Sequence, residues 1–112
     1  MTTNTLIDIY NGQPGVTDTT LYTSAANTRT RVLAATVTND TTSAIYISFH
    51  RVPSGGSVSD ANIIVNQRII GSRETATLYE LIGHVVEAGG FLSAIAEVAA
   101  QLTVHISGVK IT

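Results

Sequence analysis

The chain has 112 residues, the size of one domain, and leaves no room for a second independent core. Hydrophobic residues make up 44% of it and charged residues only 12%, about half the usual charged share, so the surface is short of solubilising charge. A net charge of -2 with six scattered Lys and Arg argues against nucleic acid as a partner, the lack of Cys rules out disulfides and thiolate metal sites, and no apolar run approaches the ~20 residues of a membrane span.

The N-terminus, Met1-Thr2-Thr3-Asn4, has neither the basic nor the apolar region of an export signal. Ile7 and Ile9 share one face of a short strand, with Leu6, Asp8 and Tyr10 on the other, and Asn11-Gly12-Gln13-Pro14-Gly15 follows as a flexible connection. Residues 1–19 therefore read as an N-terminal strand or arm, either an edge strand of its own sheet or one that pairs with a neighbouring subunit. Residues 20–112 form the main domain.

Within that domain, residues 31–38 alternate, with Leu33, Ala35 and Val37 on one face and Val32, Ala34 and Thr36 on the other. Residues 43–51 set Ile45, Ile47 and Phe49 against Tyr46, Ser48 and His50. Asn39-Asp40-Thr41-Thr42 lies between these strands and predicts a hairpin. Pro53-Ser54-Gly55-Gly56-Ser57 ends the second strand and opens a loop to Asp60. A strand over 62–70 carries a bend or bulge at Asn66, Gln67 and Arg68, and Gly71-Ser72-Arg73 turns into a strand over 74–81.

Residues 91–98 fit either a short helix, through Phe91, Leu92, Ile95, Ala96 and Ala99, or a strand. The turn at Glu87-Ala88-Gly89-Gly90 and the alternation of Leu102, Val104 and Ile106 against Thr103, His105 and Ser107 favour a final hairpin, with Gly108 breaking its last strand. The fold class is all-β, an antiparallel β-sandwich or jelly roll of about seven or eight strands.

Chemistry is sparse. His50, His84 and His105 have no metal-ligand spacing, and His50 and His105 fall on the polar faces of their strands. Glu74, Glu80, Glu87 and Glu97 are well separated, no Gly-x-Ser-x-Gly elbow occurs, and Gly55-Gly56-Ser57 lacks the context of a phosphate loop. No catalytic residue, cofactor or metal is expected. Four Tyr, two Phe and no Trp make a poor stacking surface for sugars.

Val52-Pro53-Ser54-Gly55-Gly56-Ser57 leading to Ser59-Asp60-Ala61-Asn62, Glu87-Ala88-Gly89, and the closing His105-Ile106-Ser107-Gly108-Val109-Lys110-Ile111 resemble small virion proteins of tailed bacteriophages. In these a Thr-Leu-Tyr-Thr opening, here Thr20-Leu21-Tyr22-Thr23, leads into the first sandwich strand, and the likeness spans about Thr20 to Ile111. The resemblance implies a protein made in the host cytoplasm and carried in the virion. There it is a capsid decoration or cement protein, a homo-oligomer with the trimer favoured, bridging the major capsid protein or other virion proteins. The alternative it implies is a tail or fibre component, including a receptor- or glycan-binding module. Arg is favoured at interfaces, so Arg29, Arg31, Arg51, Arg68 and Arg73 are the candidate anchors.

Overall fold

The computed structural model describes residues 2–112, and among them nine strands. They are β1 (Asn4–Gly12), β2 (Thr19–Thr23), β3 (Arg29–Asn39), β4 (Ile45–Val52), β5 (Ile63–Ile70), β6 (Thr75–Thr77), β7 (Val85–Val86), β8 (Phe91–Ala96) and β9 (Leu102–Ile111). The larger sheet runs β1-β9-β3-β6, with β7 also on β3, and the smaller runs β2-β8-β4-β5. Every pairing is antiparallel, so the chain is an antiparallel β-sandwich. The count exceeds the expected seven or eight because the short strand β7 lies along β3 beside β6, the remnant of the strand expected over 74–81.

The pairings are nested. β4 pairs with β5, β3 with β6 and β7, β2 with β8, and β1 with β9. The chain is thus one long hairpin, its tip at the loop before the 3-10 turn Asp60–Asn62, rolled until β9 meets β3 and β8 meets β4. Between the sheets lies one core, in which Phe49, Ile47, Leu78, Leu92 and Ile106 are fully buried. Each such side chain contributes about 1.5–3 kcal/mol relative to exposure.

Two expected hairpins are crossovers instead. β3 and β4 belong to different sheets, as do β8 and β9. The reason at the first corner is Asn39, which is fully buried. Its amide donates to the carbonyls of Ser43 (2.8 Å) and Ile70 (3.0 Å) and its oxygen accepts from Thr41 N (3.1 Å), steering the chain out of the larger sheet. The same Asx chemistry that closes hairpins here turns a sandwich corner.

Bulges account for further departures. A register shift between Val32 and Ala34 inserts Leu33, so the inward set changes from Thr30 and Val32 to Ala35 and Val37, and Leu33 is 45% exposed. Two-residue alternation cannot survive an extra residue. In β5 the expected bulge is present, with Gln67 at φ 51 and its N–H bonded to Ser48 Oγ at 2.8 Å. The strand expected over 74–81 is only Thr75–Thr77. Beyond it, consecutive turns bury Leu78 and Leu81, three residues apart, with Leu81 N bonded to Leu78 O. Residues 91–96 are strand rather than helix, and Gly108 lies inside β9 rather than ending it.

The N-terminal strand pairs with β9 as an edge of its own sheet, and Ile9 is part of the common core. Residues 4–12 are thus built into the sandwich.

Candidate interaction surface

Four of the five candidate arginines hold the chain's own structure together. Arg68 donates to Thr77 O (2.9 Å) and pairs with Glu80 (2.7 Å), tying β5 of the smaller sheet to the end of β6 in the larger. Arg51 donates to Val85 O at 3.0 Å, joining β4 to β7 across the mouth of the sandwich. Arg73 pairs with Asp40 at 2.6 Å and Arg29 with Glu87 at 3.1 Å, both on the surface. Arg31 is exposed and has no hydrogen-bonding or ionic partner among the described residues. The structure therefore does not gather the five into one patch.

The histidines are also apart. His105 is exposed and its Nδ1 lies 2.9 Å from Asn11 Oδ1. His84 sits half-buried near Arg51, and burial first, then that positive charge, lowers its pKa from the ordinary histidine value, a backbone bond to Glu80 opposing them. His50, expected on a polar face, is buried opposite Ser93 of β8. Neither His50 Nδ1 nor Ser93 Oγ has a hydrogen-bond partner among the described residues. No group of three His, Cys, Asp or Glu converges among the described residues.

The surface with the most distinctive character is the outer face of the larger sheet. Alternation fixes its composition, because each strand sends every second side chain outward. The paired registers arrange these in rows. Leu6, Val109 and Arg31 lie abreast across β1, β9 and β3, and beside them Asp8, Ser107 and Ala34. Next come Asn11, His105, Thr36 and Thr77, then Thr103, Thr38 and Thr75. The upper rows are a polar field, rich in threonine, in which Thr38 and Thr75 bond one another at 3.0 Å.

The lower rows are different. Leu6 is 77% exposed, and it lines with Leu33 and Gly108 a shallow depression of about 350 Å³. A second depression of about 290 Å³ adjoins it through Asp8 and Ser107, with Ala34 and His105 on its wall. Small residues on β9 and β3 create this trough, and large apolar residues stand at its sides. Exposed apolar side chains grouped around a trough mark a surface fitted for contact.

A separate groove of about 640 Å³ opens at the mouth of the sandwich, where Val52, Ile63, Ile64 and Val85 meet Arg51 and Glu87. Of its two charged residues, Arg51 donates to Val85 O and Glu87 pairs with Arg29.

No helix among the described residues is long and apolar enough to cross a membrane. No known protein family, curated protein or solved structure matches the chain.

Proposed function

We propose that this chain is a virion structural protein of a tailed bacteriophage, a decoration or cement protein that assembles with copies of itself and bridges neighbouring shell subunits. The observation that carries the reading is the outer face of the larger sheet. Within the strands its outward formal charges are Asp8, Arg29 and Arg31, and Leu6 and Leu33 stand exposed among them. A small protein that leaves such a face to water associates readily, and a structural subunit uses that tendency.

The nested strand order supports the finer fold reading as well. Strands that alternate between two sheets as a rolled hairpin are the arrangement of a jelly roll, a fold used in viral shells. The similarity of the turn and strand motifs over Thr20 to Ile111 to small phage virion proteins points the same way. Mechanistically, a subunit that prefers the assembled shell stabilises it by mass action, and many repeated contacts add through avidity.

The experiment is co-sedimentation of the purified chain with isolated heads of the phage that encodes it, followed by heating the heads with and without it. Saturable binding at a fixed ratio per shell subunit, with a higher disruption temperature, is the expected result. A chain that neither binds heads nor raises that temperature overturns the decoration role and shifts the reading to a tail or fibre component.

A further inference from the structure

We infer that the lower outer face of the larger sheet is a self-complementary contact, in which Asp8 of one copy pairs with Arg31 of a second copy around an apolar centre formed by Leu6, Leu33 and Val109. This deepens the proposed self-assembly, on which it rests, by naming the surface and the partner.

Charge is the first argument. Asp8 and Arg31 stand on β1 and β3, on either side of β9 and one row apart. Each is exposed, and neither has a hydrogen-bonding or ionic partner among the described residues. The face thus carries one unpaired charge of each sign, unlike Arg68, Arg73 and Arg29, whose carboxylates come from the same chain.

Geometry is the second. Strands spaced ~4.8 Å apart and outward residues ~6.8 Å apart along each strand put the two charges on a diagonal of the grid. A two-fold axis lying between two such faces and crossing β9 between Ser107 and Val109 exchanges the ends of that diagonal. Each Asp8 then meets the partner's Arg31. The same operation seats each Leu33 over the partner's Ser107, where small residues leave the depression of about 350 Å³, and brings the two Leu6 side chains together over Val109. An isologous contact needs this match of knob and hollow on one surface. The resemblance to phage proteins implies three-fold assembly, whereas this face favours a two-fold pair.

Area is the third. β9 spans ~33 Å and β1, β9 and β3 abreast span ~14 Å, so the whole outer face offers ~460 Å² before side-chain relief and its lower half about half of that. This is a small contact beside the ~800 Å² per partner of a standard interface, which makes its charge pairs decisive.

The test is the solution mass by light scattering, with dissociation constants by analytical ultracentrifugation, for the full chain and three variants. Wild type is expected as a dimer. Asp8→Arg and Arg31→Asp each place two like-charge pairs in the contact and weaken it by about ten- to a hundred-fold. The double variant, and an equal mixture of the two single variants, regain dimer to within about three-fold of wild type. Leu33→Asp, at an exposed site, gives a monomer whose circular dichroism melt is unchanged. A wild-type monomer or trimer overturns the pairing, and so does a dimer indifferent to charge reversal. Head binding by a monomer would sink this contact and leave the decoration role standing; a charge-sensitive dimer that ignores heads would do the reverse.

Discussion

Replacing Gly108 with Ala puts a methyl group where β9 lies against the backbone of β3 and the Ile9 side chain of β1. Gly108 pairs with Ile7 on one side and Val32 on the other, and both flanking strands shift register just beyond it. An added Cβ would fall well inside contact distance of the Arg31 carbonyl oxygen and 2.7 Å from Ile9 Cδ1. The first of these is backbone and cannot rotate away, so β9 must move from β3 by about 1 Å to restore normal contact. That displacement weakens about two ladder hydrogen bonds at roughly 1 kcal/mol each, and overpacking Ile9 adds about 1–2 kcal/mol. The expected loss is about 3–4 kcal/mol, a large fraction of the 5–15 kcal/mol typical of a domain. With an unfolding entropy of about 2.1 cal/mol/K per residue, Tm falls by about 13–17 °C. Differential scanning calorimetry against Gly55→Ala supplies the comparison. Gly55 has φ +78 but open space around its Cβ position, so only backbone strain of about 1 kcal/mol applies there. A Gly108→Ala protein that melts within 4 °C of wild type, or no lower than Gly55→Ala, refutes the close-approach argument.

Asn39→Ala strips the buried corner amide of four bonds and costs about 2–4 kcal/mol in urea denaturation; a loss under about 1 kcal/mol would show that the corner holds without it. Arg68→Ala costs about 1–2 kcal/mol because it joins the two sheets, while Arg73→Ala, whose ion pair with Asp40 is well exposed, stays within about 0.5 kcal/mol; equal losses would contradict that ranking. Phe49→Ala, at the centre of the core, costs about 3–5 kcal/mol by the same measurement. The lowered pKa of His84 means that the unfolded chain takes up its proton first as pH falls. Stability is therefore full above the ordinary histidine value of about 6.5 and declines as pH drops from there through the lowered value. His84→Gln flattens that part of the stability curve, and an unchanged slope would assign it to another group.

The strands that could be read from residues alone are those whose alternation runs without interruption. Ile45, Ile47 and Phe49 in β4 and Leu102, Val104 and Ile106 in β9 face the core as their period of two requires. In β3 the same pattern points the wrong way beyond Thr30 and Val32, because inserting Leu33 opposite a glycine exchanges the faces and no local residue signals it. Leu78 and Leu81 sit in turns whose three-residue spacing mimics neither strand nor long helix. The pairing partners were harder still. Asn39 bonds Ile70, 31 positions away, and it is this contact, invisible in a window of neighbours, that converts an apparent hairpin into a passage between sheets.

Site residues suffer from the same distance problem. Choosing arginines by type selects groups able to anchor a partner, yet whether each is available depends on acids that sequence places far off: Glu80 lies 12 positions from Arg68, and Asp40 lies 33 from Arg73. Folding brings those carboxylates in and leaves Arg31 uncommitted. The contrary signal came from residues with no chemistry to advertise. Ala34 and Ser107 are unremarkable in sequence, but side by side on β3 and β9 they hollow the outer face beside Leu6 and Leu33. A surface is defined by what is small as much as by what is charged, and smallness becomes a feature only after register sets neighbours together. On the proposed reading the informative residues are those that shape a face, and filling the hollow tests them directly: Ser107→Leu should abolish self-association while leaving the melt unchanged. A Ser107→Leu chain that still associates as wild type does would place the contact on another face.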